Sequence, residues 1–286
     1  MTRRGLFAPL LGAAAAACSP LGLLNSLGPR DPGARRSVRD VAYGPDPRQR
    51  LDLWTPKGDP PGGGWPMLVF FYGGGWDSGD KALYGWAAQA LAARGFVVAT
   101  PDYRLVPEVH FPAFVEDAAA ATAFSGAIAA DHGADPGRLG VVGHSAGAHL
   151  AVMIALDRRY MDAAGAPGLI RAAAGLAGPY DFLPFDVPAA VNAFGRTPDP
   201  TLTQPVAFVR PDAPPLWLGH GTADRVVHAE DTVILCEKMR AAGGRCEARL
   251  YDGLSHEDLI ATFSPLFRGK APVLEEATGF LHRALA

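Results

Sequence analysis

The pentapeptide Gly143-His144-Ser145-Ala146-Gly147 constrains this chain more than any other feature because of what flanks it. The apolar run Leu139 to Gly143 precedes it and the helical pattern Ala146 to Arg158 follows, so the serine stands at a strand–turn–helix junction. At so sharp a turn the serine backbone is strained. Small residues two before and two after it relieve clashes, and the hydroxyl is held above the sheet beside a helix N-terminus. Outside such a context the same five residues read as a Gly-rich turn.

The rest of the chain supplies the same alternation. Met67 to Tyr72, Gly95 to Thr100, Leu139 to Gly143, Arg171 to Leu176 and Pro215 to Gly219 are short apolar runs, the pattern of strands covered on both faces of a parallel sheet. Helical patterns lie between them at Asp80 to Arg94, Pro112 to His132, Ala146 to Arg158 and Ala229 to Ala242, with Gly95, Gly133 and Gly243 as C-caps. Val38 to Tyr43 and Arg50 to Trp54 predict a leading hairpin turned at Gly44-Pro45-Asp46-Pro47. The expectation is an α/β fold with a mostly parallel central sheet, helices on both faces and ligands at the C-terminal strand ends. Residues 178–214 are rich in proline and break the rhythm, which reads as a loop or small cap over the site.

With 286 residues and 49% hydrophobic positions the chain can bury a full core, and no linker divides it after residue 37. The net charge of -3 and scattered Lys and Arg offer no footprint for nucleic acid. Residues 1–18 have a basic start at Arg3-Arg4, an apolar run Leu6 to Ala17 and then Cys18. This predicts an export signal of twin-arginine or lipoprotein type, with Cys18 lipidated, residues 19–36 as a tether, and a periplasmic or membrane-anchored location. The alternative is an Ala-rich leader or a misassigned start, which would leave the chain in the cytoplasm. Cys236 and Cys246 are too few for a disulfide scaffold; they either pair between a helix and the next strand or stay as separate buried thiols.

The candidate chemistry follows from position. Tyr72-Gly73-Gly74-Gly75-Trp76 ends the Met67 run, and its glycines let backbone amides approach a ligand. The amides of Gly74, Gly75 and Ala146 are candidates for an oxyanion hole, against the plainer reading of a flexible turn. Asp224 lies on a loop after one buried run and His256 after another, in the chain order serine, acid, histidine. His256 would exchange the proton of Ser145 and Asp224 would hold the ring. Such a mechanism implies activity that falls as the pH drops through roughly 6–7. His144 and His149 read as local hydrogen-bonding residues, and His220 and His228 bracket the Asp224 loop without metal-ligand spacing. Asp252, Glu257 and Asp258 are rivals for the acid role but stand beside the histidine as expected surface charges. Neither a metal nor a cofactor is expected.

From Val38 to Ala286 the sequence resembles the esterase/lipase branch of the α/β-hydrolase superfamily. The resemblance rests on Tyr72 to Trp76, Asp102-Tyr103-Arg104-Leu105, Gly143 to His149, Pro211-Asp212-Ala213-Pro214-Pro215, His220-Gly221-Thr222-Ala223-Asp224 and Ser255-His256, all in the family's order. The short cap and Trp76 are most similar to the feruloyl/acetyl-xylan esterase-like and arylformamidase-like group. One departure is Tyr72, where the family usually has histidine, and it bears on how the glycine loop is braced. Asp102 and Arg104 are implied to brace that loop; an ordinary surface ion pair, worth about 0–1 kcal/mol, is the alternative.

The function implied is a serine hydrolase of short-chain carboxylic esters, working on a small-molecule substrate through an acyl-enzyme. An arylformamidase-like amidase is the alternative within enzymes, since one triad serves both carbonyls. A binding lipoprotein that has kept the fold without the chemistry is the reading from another class. A peptidase is disfavoured, because no substrate-selecting domain accompanies the core.

Overall fold

The computed structural model describes residues 20–286. Helix α1 (Pro20–Leu27) leads into an eight-stranded sheet of β1 (Ala34–Ala42), β2 (Arg50–Pro56), β3 (Trp65–Phe71), β4 (Val97–Pro101), β5 (Ala134–His144), β6 (Ile170–Leu176), β7 (Leu216–Gly221) and β8 (Cys246–Tyr251). The strand order is β1-β2-β4-β3-β5-β6-β7-β8. β1 pairs antiparallel with β2, and β2 with β4. Every other neighbouring pair is parallel. This is the α/β-hydrolase fold, and the expected hairpin forms its antiparallel edge.

Parallel neighbours need crossovers, and helices supply them. They are α2 (Gly85–Ala92), α3 (Ala113–Ile128), α4 (Ala146–Leu156), α5 (Arg158–Ala163), α6 (Pro188–Phe194) and α7 (Ala229–Ala241). α8 (His256–Ala261) and α9 (Val273–Ala284) complete the chain. α4 is buried along its whole length, and it packs against β3, β5 and β6. Charges favour the helix dipoles at both ends of α7, with Glu230 and Asp231 in the first turn and Lys238 and Arg240 in the last.

The structure departs from the sequence reading in several places. Within the expected helix 80–94, residues Lys81–Tyr84 form a 3-10 turn capped by Asp80, and α-helix begins only at Gly85. The expected helix 146–158 ends at Leu156, because Asp157 turns extended and caps α5. Residues 178–214 contain α6 and two 3-10 turns, Pro200–Thr203 and Pro205–Phe208.

The described part of the stretch expected as a tether, residues 20–36, packs onto the domain. α1 packs against the 3-10 turn and α8, Leu24 is buried, and β1 already begins at Ala34. Asp31 is buried between Arg94 and Arg268, an ion-pair set that free chain could not hold. Cys18 and the segment 1–19 lie outside the described residues. Cys236 of α7 and Cys246 of β8 form a disulfide, their Cα atoms 5.2 Å apart.

Candidate functional site

Ser145 stands between the last residue of β5 and the first of α4 with φ 57° and ψ -125°, the strained turn expected of a side chain held out over a sheet. The turn is possible because its glycines have no side chains. A Cβ on Gly143 would meet the Gly147 carbonyl oxygen at 2.1 Å, and one on Gly147 would meet the Phe71 carbonyl oxygen at 2.2 Å. Ser145 N donates to Leu176 O at 2.8 Å, which ties this turn to β6.

His256 is the first residue of α8. Ser255 and Asp258 form a reciprocal capping box that fixes the start of that helix, and with it the direction of the imidazole. Asp224 follows β7 in a turn of its own: Oδ1 accepts from the amides of Val226 and Val227 at 2.8 and 3.0 Å. The loops carrying Asp224 and His256 are stitched together by Thr222 N to Tyr251 O at 2.9 Å and Ala223 N to Leu254 O at 3.1 Å.

These elements bring the three predicted side chains into one row. Ser145 Oγ lies 2.8 Å from His256 Nε2, and His256 Nδ1 lies 2.7 Å from Asp224 Oδ2. Because a carboxylate only accepts, the neutral ring carries its hydrogen on Nδ1 and leaves Nε2 free to accept from the serine. The Asp224 side chain is fully buried. Burial alone would raise its pKa, but hydrogen bonds from His220 and His256 outweigh it and hold the carboxyl well below the usual carboxylate range. None of the rival acids reaches His256: Asp252 accepts from Thr222 Oγ1, Asp258 caps α8, and Glu257 is exposed.

The glycine loop abuts the serine from the β3 side. A Cβ on Gly73 would approach Ser145 Cβ to 2.9 Å. Gly74 and Gly75 have φ of 140° and 58°, and their amides, with that of Ala146, donate to no acceptor among the described residues. α6 lies over this loop, with Ala189 close to Gly75. Behind it Trp76 packs edge-on to His149 and Phe194 at ring separations of 5.4 and 4.7 Å, and Phe182 stacks beside it.

Contacts between residues far apart in the sequence support this arrangement. Arg48, from the turn before β2, donates to Tyr72 Oη at 2.8 Å and to the carbonyls of Gly79 and Tyr103, both at 2.9 Å. Asp102 and Arg104 do not pair with each other. Asp102 accepts from the amide and ammonium of Lys81, while Arg104 grips Asp117 with Nε and Nη2.

The histidines read as local are long-range. His144 joins Tyr84 Oη at 3.1 Å to the His256 carbonyl at 3.2 Å, and His149 Nε2 donates to Thr203 O in the cap at 2.9 Å. Burial lowers both pKa values, to about 3 for His144, where His256 adds to the effect, and to about 4 for His149. His220 does more than bracket the Asp224 loop, since its Nε2 lies 3.1 Å from Asp224 Oδ2.

The arginines scattered in sequence also gather in space. Arg158, Arg171, Arg210 and Arg245 line a cavity of about 690 Å³ with Asp162 and Asp212, at the N-terminal ends of β6 to β8 and away from Ser145. Among the described residues, no group of His, Cys, Asp or Glu is placed to hold a metal ion.

Comparison with known proteins agrees with this architecture. Isoprenylcysteine alpha-carbonyl methylesterase ICME of Arabidopsis thaliana is 29% identical over 266 residues, covering 85% of this chain and 62% of that protein. Esterase LipC of Mycobacterium tuberculosis is 33% identical over 222 residues, covering 71% of this chain and 55% of that protein. The chain thus spans less than two thirds of the length of these relatives. Among solved structures, a butyrate-bound thermophilic esterase of Thermogutta terrifontis has TM-score 0.70 at 28% identity, covering 88% of this chain and 94% of that one. A truncated carbohydrate esterase from gut microbiota has TM-score 0.79 at 22% identity, covering 90% and 99%, and shares the fold. The BD-FAE family model matches residues 51–239, from β2 through most of α7, and the chain belongs to that family, within the esterase/lipase branch of the α/β-hydrolase superfamily.

Proposed function

We propose that this chain hydrolyses short-chain carboxylic esters with Ser145 as nucleophile, His256 as general base and acid, and Asp224 as the group that orients and charges the base. The observation that carries the reading is the continuous row Ser145 Oγ, His256, Asp224 at 2.8 and 2.7 Å. The named relatives are esterases, which supports the same reaction class.

In this mechanism Ser145 Oγ bonds to the ester carbonyl carbon as its proton passes to His256 Nε2, and the carbonyl electron pair moves onto oxygen. The amides of Gly74, Gly75 and Ala146 receive that oxyanion, each donor contributing about 10²–10³ in rate. Collapse breaks the bond to the leaving alkoxide, which takes the proton from His256. Water then attacks the acyl-serine with the same base, releasing the acid and restoring Ser145. No cofactor enters these steps. The formamidase-like alternative uses the same residues on an amide carbonyl.

The test is hydrolysis of a p-nitrophenyl acyl series beside an N-formyl aromatic amine, with Ser145→Ala as the blank. Ester turnover falling by about 10⁶ in the variant is expected. Formamide turnover alone would favour the amidase. Failure of a fluorophosphonate to label Ser145 would favour a binding protein.

Export with anchoring through Cys18 is part of the same proposal, on the strength of the Arg3-Arg4 start and the apolar run before Cys18. A disulfide between Cys236 and Cys246 suits an oxidising compartment. Mass spectrometry of the N-terminal peptide from membranes is expected to find a diacylglyceryl group on Cys18, and an unmodified cysteine would overturn it.

A further inference from the structure

His220 is a fully buried ionisable side chain beside the site that the mechanism above does not use. It points from β7 toward the Asp224 turn. Both of its ring nitrogens have hydrogen-bond partners. Nε2 faces Asp224 Oδ2 and the Val227 carbonyl, both at 3.1 Å, and Nδ1 faces Thr232 Oγ1 on α7 at 2.9 Å. Both neighbours of Nε2 only accept, so in the neutral ring Nε2 carries the hydrogen, and the threonine hydroxyl donates to Nδ1.

The oxygen that His220 engages is the one His256 engages. Oδ2 receives Nε2–H from His220 and Nδ1–H from His256, while Oδ1 is filled by two backbone amides. With the amides alone only Oδ1 is tethered, and the carboxylate could still pivot about that oxygen and carry Oδ2 away from the imidazole. His220 supplies the fixed point on the far side of that oxygen, and Thr232 in turn fixes the His220 tautomer. Thr232 has a second connection: its neighbour Asp231 accepts from the amides of Tyr180 and Asp181 at the root of the cap. The first turn of α7 therefore anchors both the acid and the start of the segment over the site.

We propose that His220, held by Thr232, is a positioning residue that aims Asp224 Oδ2 at His256. The proposal rests on the reading of Ser145, His256 and Asp224 as one catalytic unit. His220→Leu removes the donor, His220→Gln keeps a donor near the Nε2 position, and Thr232→Val keeps shape while releasing the tautomer.

The expected result is a fall in kcat of roughly tenfold to a hundredfold in His220→Leu with KM within about twofold, the scale at which supporting partners of active-site groups act. Most of the rate should return in His220→Gln, and Thr232→Val should lose a smaller share in the same direction. If the leucine variant does not fold, the glutamine and valine variants carry the test. Equal loss in the leucine and glutamine variants, or wild-type kcat in all of them, would overturn the role.

The low-field proton resonance of the His256–Asp224 hydrogen bond gives a readout independent of turnover. It should move in His220→Leu and return toward its wild-type position in His220→Gln, and an unmoved resonance overturns the proposal. Fluorophosphonate labelling of the wild type separates the two failures. A wild type that does not label at Ser145 sinks the hydrolase reading, while the resonance still decides whether His220 holds Asp224.

Discussion

Arg48 Nη2 lies 2.8 Å from the hydroxyl of Tyr72, and the same guanidinium holds the carbonyls of Gly79 and Tyr103. One arginine thus clamps both ends of the glycine loop that runs from Tyr72 to Gly79. The Tyr72 ring stacks on Tyr103 at 4.6 Å, and Tyr103 Oη donates to the Tyr72 carbonyl. Tyrosine in place of the family's histidine is therefore accommodated by a partner outside the loop. Arg48→Met, which keeps the stem and removes three donors, is expected to lower kcat about tenfold by loosening the amides of Gly74 and Gly75, which are worth more than that individually. Tyr72→Phe keeps the stack and should cost only about 1 kcal/mol of stability. Steady-state kinetics beside urea melts would separate the two effects, and unchanged kcat in Arg48→Met would show that the loop holds its shape unaided.

A second brace runs beneath Ser145. Tyr84 Oη donates to His144 Nδ1, and His144 Nε2 donates to the backbone carbonyl of His256. Tyr84 is buried, so Tyr84→Phe leaves a buried ring nitrogen without a partner. The expected cost is about 1–3 kcal/mol, read from the shift in the urea midpoint, with a smaller effect on kcat because the phenyl ring keeps the packing. A midpoint unchanged to within about 0.5 kcal/mol would mean that water replaces the hydroxyl.

That Ser145, Asp224 and His256 would meet is legible in the sequence because each stands just past an apolar run, and parallel strands bring their C-terminal ends to one edge. The same logic makes the sheet legible, since the central stretches of β3 to β7 are buried on both faces and read as short apolar runs, Leu139 to Gly143 in the case of β5. The braces are another matter. Arg48 meets Tyr72 across 24 residues and His144 meets the His256 carbonyl across 112, and no local pattern encodes such pairs. The contact of His220 is hidden for a different reason: it lies only four residues before Asp224, yet whether it faces that carboxylate depends on how the chain turns after β7. Residues 20–36 mislead because Gly, Pro and Arg make a tether-like composition, while Asp31 finds its two arginines just past α2 and just before α9, invisible from the local sequence.

The disulfide offers a test of stability that leaves the site residues in place. It closes a short loop, 10 residues in separation, between α7 and β8. Chain-entropy arguments put the loss on opening such a loop at about 2–3 kcal/mol. Cys236→Ala with Cys246→Ala is expected to lower the thermal midpoint by that amount in free energy, and mild reductant should do the same to the wild type. Since α7 also carries Thr232 and Asp231, the double variant should lose activity at a lower temperature than the wild type while keeping its turnover at 25 °C. A variant as stable as the wild type would mean that the buried packing of α7 on β7 and β8 already fixes the loop.

Acid sensitivity of the fold should come from buried histidines before carboxylates. His149 is buried with Nε2–H on Thr203 O and no partner at Nδ1 among the described residues, so a second proton would sit in an apolar cage of Trp76, Phe182 and Phe194. Its pKa is lowered from 6.5 to about 4, and that of His144 from 6.5 to about 3, burial being the main cause in both. Unfolded chain takes up these protons near pH 6.5 while folded chain refuses them until much lower, so the stability both residues give is complete above pH 6.5. It drains away as the pH falls toward 4 and then 3. Asp224 is held below the usual carboxylate range, so its own contribution is lost only at lower pH. The thermal midpoint is therefore expected to decline between pH 6.5 and 4, and His149→Gln, which keeps a donor toward Thr203 without a titrating ring, should flatten part of that decline. A midpoint level from pH 6.5 to 4 in the wild type would mean that the cap opens to hydrate His149 at little cost.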